Sequence, residues 1–166
     1  MTFFCLLSRK FPAVFLLAAL TATVPNLAAA EKKIVGATEV VSVAEAGLSF
    51  LGRMDTGAAT TSIHAVDIEV AGPLPEGTDR TGLPVAFTVL NERGDACRLT
   101  ARVEKTELIR TSEGREQRLF VYLTVGWQGE EKRVLVNLND RSAMKYRLLL
   151  GRNWLENDYL VDVARR

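Results

Sequence analysis

An all-β domain is the fold class this sequence predicts, and three observations carry the prediction. Between Lys33 and Val163 the apolar residues come in short β-branched and aliphatic runs, the composition of strands. Turn residues separate these runs, at Ala44-Glu45-Ala46-Gly47, Asn91-Glu92-Arg93-Gly94 and Gln128-Gly129-Glu130. Only one stretch, Arg152 to Glu156, reads as a helix, and it is short.

The elements follow in order. Lys33 to Val35 and Glu39 to Val43 are strand-like, and Leu48 to Met54 forms a third strand that runs into Asp55-Thr56-Gly57. Val66 to Val70 is predicted as a strand ahead of a Pro/Gly-rich loop, Ala71 to Pro84. Val85 to Leu90 and Arg98 to Lys105 flank Asn91-Glu92-Arg93-Gly94 as a hairpin, with Cys97 as a small buried strand residue. Glu107 to Arg110 and Arg118 to Val125 form a second, longer hairpin around a polar tip, Thr111-Ser112-Glu113-Gly114. Lys132 to Leu138 is the next strand, and Ser142 to Arg147 shows no clear pattern. Leu148 to Leu150 is a continuous apolar run of the buried-strand type, ended by Gly151. The short helix then points Trp154 and Leu155 inward, and Tyr159 to Val163 is the last strand.

Residues 1–30 have the composition of an export leader. Arg9 and Lys10 give a basic start, Phe11 to Leu20 an apolar run, and Ala28-Ala29-Ala30 a small-residue exit. The apolar run is shorter than the roughly 20 residues that a comfortable membrane span needs, so an uncleaved anchor is the weaker alternative. The expected location is periplasmic or secreted. Cleavage after Ala30 leaves residues 31–166, a single domain of 136 residues with no repeat or internal linker. The whole chain has 21 Lys plus Arg and 20 Asp plus Glu; without Arg9 and Lys10 the balance is 19 against 20, a net charge of −1. That balance gives no sign of a nucleic-acid partner, which calls for a basic excess. The mature domain keeps only Cys97, so it has no internal disulfide and relies on packing or oligomerisation.

Two signatures carry chemistry. One is Met54-Asp55-Thr56-Gly57-Ala58-Ala59-Thr60-Thr61-Ser62; the other is Leu148-Leu149-Leu150-Gly151-Arg152-Asn153-Trp154-Leu155. Asp-Thr-Gly alone is an ordinary turn sequence. Both elements together resemble the retropepsins, the single-lobe aspartic proteases best known from retroviruses. The order Ile34-Val35-Gly36, Asp55 to His64-Ala65, Ser112-Glu113-Gly114 and Leu149-Leu150-Gly151-Arg152 is similar to a bacterial branch of that superfamily, which bears the label ATP-dependent zinc protease. The resemblance covers Lys33 to Val163. Two departures stand out: Thr60-Thr61-Ser62 is one residue out of the strict spacing, and Ala59 stands where members of the branch commonly have a basic residue.

The resemblance implies a single-lobe acid-protease (retropepsin-like) closed β-barrel with one short C-terminal helix. It implies Asp55 as the catalytic residue, with Thr56, Gly57 and Ala58 supporting its loop. Leu150, Gly151 and Arg152 support the site from below, and Ser112, Glu113 and Gly114 form the tip of a flap over a peptide substrate. Gly57 is expected to permit the tight turn, Thr56 to bond backbone across a dimer, and Arg152 to make a salt bridge within or between subunits. Two carboxylates a few ångströms apart can share one proton, so that one activates water while the other protonates the substrate. The mature chain offers one Asp-Thr-Gly. The second carboxylate must therefore come from a second copy, which makes a homodimer a requirement of the mechanism. Ala58 lacks the hydroxyl that pepsin-like enzymes often place there, which favours activity closer to neutral pH.

No cofactor or metal is expected. His64 is the only histidine, with neither H-E-x-x-H nor a cysteine pair beside it, and no P-loop motif for ATP is present. A structural histidine is the reading the composition favours. Members of the branch associate with ATP-grasp ligases that add glutamates, so the resemblance implies a functional link to such a system. A dimer that binds peptide in an envelope complex without cutting it is the alternative function.

Overall fold

The computed structural model of the chain describes residues 31–72, 77–111 and 114–165. The leader read in residues 1–30 lies outside them, as do Ser112 and Glu113. The strands are β1 (Lys33–Gly36), β2 (Thr38–Val43), β3 (Leu48–Met54), β4 (Thr61–Val70), β5 (Pro84–Leu90), β6 (Ala96–Arg102), β7 (Lys105–Thr111), β8 (Gly114–Trp127), β9 (Glu130–Asn139), β10 (Leu148–Leu150) and β11 (Tyr159–Asp162). A 3-10 turn at Ala44–Ala46 joins β2 to β3, and the helix α1 spans Arg152–Leu155.

Six strands close a barrel in the cyclic order β10, β3, β2, β8, β9, β4 and back to β10. Closure leaves no free edge among those six, which is how a small all-β domain protects its backbone. The pairs β10–β3 and β4–β9 are parallel, and the other four are antiparallel. β4 also carries the β5–β6 hairpin on its outer half, and β7 extends from β8 as the second hairpin. β1 and β11 pair in parallel as a separate ribbon.

Alternation places the core. Phe50 and Met54 of β3, Val41 and Val43 of β2, Val121, Leu123 and Val125 of β8, and Val134, Val136 and Leu138 of β9 are all buried. Cross-strand partners such as Val121 with Val136 and Leu123 with Val134 face one another. Each such side chain contributes roughly 1.5–3 kcal/mol on burial. One end of the barrel is sealed by α1. Its Trp154 is wholly buried and stacks on Tyr159, with ring centroids 4.2 Å apart, while Trp127 meets Tyr159 edge-on at 5.7 Å.

The observed strands depart from the sequence expectation in three places. β4 begins at Thr61, not Val66, because its polar residues find partners inside the fold. Thr61 is held by Asn153, Ser62 donates to Asn137 Oδ1 at 2.8 Å, and His64 Nδ1 accepts the Arg141 N–H at 2.9 Å. β6 begins at Ala96 and ends at Arg102; Val103 then leaves the hairpin to bond Leu83 and Gly82 through its backbone. Cys97 lies on β6 opposite Val89, half-buried instead of buried. Ser142 to Arg147 is a turn, held by Arg141 Nε on Tyr146 O at 3.1 Å and by Arg147 Nη1 on Arg141 O at 2.9 Å. Among the described residues no helix is long and apolar enough to cross a membrane.

Candidate active site

The loop from Asp55 to Thr60 joins β3 to β4 across the mouth of the barrel. Its position is fixed from below by β10 and the turn into α1. The Asp55 N–H donates to Leu150 O at 2.9 Å, which extends the β3–β10 pairing by one bond. The Arg152 N–H donates to Ala58 O at 2.8 Å and that of Asn153 to Ala59 O at 3.2 Å. Arg152 Nη1 reaches Thr56 O at 3.2 Å and Gly57 O at 3.1 Å. Arg152 thus holds three carbonyl oxygens of its own chain's loop, those of Thr56, Gly57 and Ala58, while its Glu156 contact, at 3.8 Å between exposed groups, contributes little.

The Asp55 carboxylate is half-exposed and aimed by its own loop. Oδ1 accepts the Gly57 N–H at 2.9 Å and the Ala58 N–H at 3.2 Å. Among the described residues no hydrogen bond reaches Oδ2, so one oxygen is anchored and the other is left for chemistry. Gly57 serves this cradle by its lack of a side chain: a Cβ there would sit 3.2 Å from Asp55 Oδ1. The expected tight turn is present, closed by the Ala58 N–H on Asp55 O at 3.3 Å; the Gly57 φ is not in the left-handed region, so glycine serves the turn by allowing close approach. The Thr56 side chain is exposed on this chain.

Gly151 is the closest fit in the site. A Cβ on it would lie 2.5 Å from the Thr60 carbonyl carbon, 2.7 Å from its oxygen and 3.0 Å from Ala58 O. A polar spine runs beside it. The Thr61 hydroxyl donates to Asn153 Oδ1 at 2.9 Å and accepts the Gly151 N–H at 3.3 Å; Asn153 Nδ2 donates to Leu135 O at 2.7 Å. Asn137 Nδ2 donates to Thr61 O at 3.1 Å and continues the spine into β9. Thr61, Asn153 and Asn137 are support residues that sequence reasoning missed. The sequence signal was Asn137, a polar residue inside the apolar run Val134 to Leu138.

Two arginines were also missed. Arg141 follows β9 and is buried, and Arg118 lies on β8 where that strand leaves β7 and meets β9. The two guanidinium groups repel one another and Asp55 attracts Arg141; burial and Arg118 push the pKa of Arg141 down, and Asp55 pulls it back up. His64 is 4% exposed. Its Nδ1 accepts from Arg141 N, so the ring is neutral with its proton on Nε2, and the 3.5 Å approach of Asp140 is not an ion pair. Burial, aided by Arg147, lowers the His64 pKa against the opposing pull of Asp140. Among the described residues no cluster of three His, Cys, Asp or Glu side chains could hold a metal. Of the flap tip, Gly114 pairs with Thr111 across the β7–β8 hairpin, while Ser112 and Glu113 lie outside the described residues.

A closed barrel with an Asp-Thr-Gly loop seated on a Leu-Leu-Gly-Arg turn defines the single-lobe acid-protease class. The profile of the RimB-like family, described as retropepsin-like aspartic endopeptidase RimB, matches residues 34–166, and the chain belongs to that family. Among curated relatives, a probable alpha-L-glutamate ligase of Shewanella pealeana is 34% identical over 137 residues, covering 79% of this chain and 28% of the relative. A probable alpha-L-glutamate ligase of Desulfotalea psychrophila is 30% identical over 135 residues, again 28% of its length. The chain therefore corresponds to little more than a quarter of the relatives it matches. A crystal structure of Lpg0085 from Legionella pneumophila, a protein of unknown function (DUF785), superposes with a TM-score of 0.65 at 26% identity, covering 81% of this chain and 95% of that one.

Two outcomes follow from this geometry. Gly151→Ala should destabilise the domain by several kcal/mol, since the new methyl meets backbone and has no flexible side chain to displace; an unchanged urea midpoint would show that the loop and turn are not in this contact. Native stability should also fall as pH drops below 6.5. The folded pKa of His64 is lowered, so its contribution is complete above the unfolded value and is lost as pH falls toward the folded one. The depressed carboxylates Asp79, Asp95 and Asp140 act only below about 3.8, a separate window. His64→Gln should flatten the urea midpoint between pH 6.5 and 5 while leaving the acid limb in place.

Proposed function

We propose that the chain is a metal-independent aspartic endopeptidase whose site is completed by Asp55 of a second copy. The observation that carries this reading is the Asp55 cradle, which anchors one carboxylate oxygen on two backbone amides and leaves the other unbonded among the described residues. Family membership supports it. In the proposed reaction, one carboxylate takes a proton from water as the water oxygen attacks the peptide carbonyl carbon. The other carboxyl gives its proton to the carbonyl oxygen. The tetrahedral product collapses with cleavage of the C–N bond, and the departing nitrogen takes a proton from the dyad. The two groups titrate jointly, not singly.

The outer face of the β1–β11 ribbon suits contact with the second copy. Ile34 and Leu160 are opposite one another there, 50% and 54% exposed. Leu160 and Thr56 line the same shallow depression, which also holds Arg152. In this reading the β7–β8 hairpin serves as a flap that covers the substrate and bonds an extended peptide by strand addition.

The substrate class comes from the relatives' names. A hydrolase related to part of a glutamate ligase finds a natural substrate in the peptide bonds of glutamate-rich chains. The compartment comes from the leader in residues 1–30, whose composition directs export.

Residues 31–166 are expected to cut glutamate-rich peptides in the presence of chelator and with an optimum closer to neutral than that of pepsin-like enzymes. Asp55→Asn should lower turnover by at least about 10³-fold, the scale of losing a catalytic acid–base group. Cleavage that survives this substitution would sink the proposal, and dimeric protein that binds peptide without cutting it would favour the binding-module alternative. For the compartment, a reporter fused after residue 30 should appear outside the cytoplasm with the leader removed; retention in the cytoplasm would overturn that assignment.

A further inference from the structure

Arg118 and Arg141 sit together where the β7–β8 hairpin meets the barrel, and nothing in the proposed hydrolytic step uses them. Arg118 immediately precedes Leu119, whose partner on β9 is Leu138; Arg141 lies just beyond the end of β9 at Asn139. The two residues thus approach the same end of one strand pair, at the base of the hairpin, where Arg141 feels the charge of Asp55.

Their bonding is incomplete. Arg141 is 7% exposed, yet the only side-chain hydrogen bond it makes among the described residues is from Nε to Tyr146 O. Neither Nη donates to a described protein group. Arg118 gives Nη2 to Glu116 Oε2 at 3.2 Å, while its buried Nε has no partner. A buried Arg141 and a partly exposed Arg118 repel one another, and the buried Arg118 Nε without an acceptor carries a desolvation cost. Glu116 offsets Arg118 in part, and Asp55 offsets Arg141 from a distance. A structural ion pair would have bonded these nitrogens within the protein. The arrangement matches instead a guanidinium fork awaiting a planar acceptor with two oxygens.

We infer that Arg141, assisted by Arg118, forms a subsite that grips a side-chain carboxylate of the substrate next to the scissile bond. The inference rests on the proposed hydrolase reading and gives it a specificity determinant. Arg141 is the main anchor, because both of its terminal nitrogens are uncommitted among the described residues and its seat is rigid. The Nε bond to Tyr146, the Arg141 N–H on His64 Nδ1 and the Arg147 Nη1 bond to Arg141 O fix it at three points. Preorganised in this way, the fork loses little freedom when it closes on a ligand.

Matched peptides that carry either glutamate or its neutral isostere glutamine throughout test the subsite. On the wild-type domain kcat/KM should favour the glutamate peptide at least about tenfold, the scale of a charge-assisted hydrogen bond. Arg141→Gln and Arg118→Gln should each reduce that ratio, the first more than the second, and Arg141→Lys should keep part of it. Arg118 is partly exposed, so its variant guards against a loss of folding at Arg141. The same peptides, labelled and titrated against Asp55→Asn by fluorescence anisotropy, should show the same preference in Kd. That binding arm reads the subsite even where no cleavage occurs, so failure of the hydrolase reading and failure of the subsite are told apart. Equal affinity for the two peptides, or a preference that persists in both Gln variants, overturns the inference.

Discussion

The loop that bears Asp55 has few contacts of its own, and its shape is imposed by the turn packed beneath it. Gly151 and Thr60 are in such close contact that no side chain fits between them. That contact sets the height of the loop above β10. From it follow the Arg152 and Asn153 amide bonds to Ala58 and Ala59, which fix the loop's C-terminal half, and the Asp55 amide bond to Leu150, which fixes its start. With both ends pinned, the backbone between them has to turn its Gly57 and Ala58 N–H groups onto the carboxylate. The orientation of a potential acid–base group is thus set by backbone packing, the least adjustable material in the fold.

The barrel supports this by an unusual use of polar residues. Thr61, Ser62 and His64 are buried on β4 and would each be costly there without partners. Each is satisfied from a different element: Thr61 by α1, Ser62 by β9, His64 by the turn after β9. These bonds have direction, unlike apolar contacts, so they specify register between β4 and its neighbours. A one-residue slip of β4 against β9 would break the Ser62–Asn137 and Thr61–Asn137 bonds at once and turn Ile63 out of the core. The site and the barrel's register are held by the same set of bonds.

This explains why the sequence was informative in some places and silent in others. β3, β5 and β10 were legible because their alternating or continuous apolar pattern is the imprint of local burial. The first half of β4 was not, because Thr-Thr-Ser-Ile-His reads as a polar loop until the partners some 75 to 90 residues away are known. Asp55, Gly57 and Gly151 were legible as motif residues; the tight turn expected at Gly57 is present, and the structure adds a close approach to the carboxylate. Arg118 and Arg141 were not legible at all. An arginine in a sequence looks the same whether it is solvated or buried beside another, and only folding brings together residues 23 positions apart.

Two-lobed enzymes hold both acids within one chain; here the loop is held within one copy, and in the proposed dimer the distance between two acids is left to the contact between copies. Arg152 lies at that junction of scales. It clamps the Thr56 and Gly57 carbonyls inside its own chain and lines the same depression as Thr56 and Leu160 on the surface. Any partner seated on that surface presses on the clamp that shapes the Asp55 loop. Association and loop geometry are therefore coupled through one side chain, so that in the proposed dimer the arrival of the second carboxylate and the setting of the first belong to a single binding event.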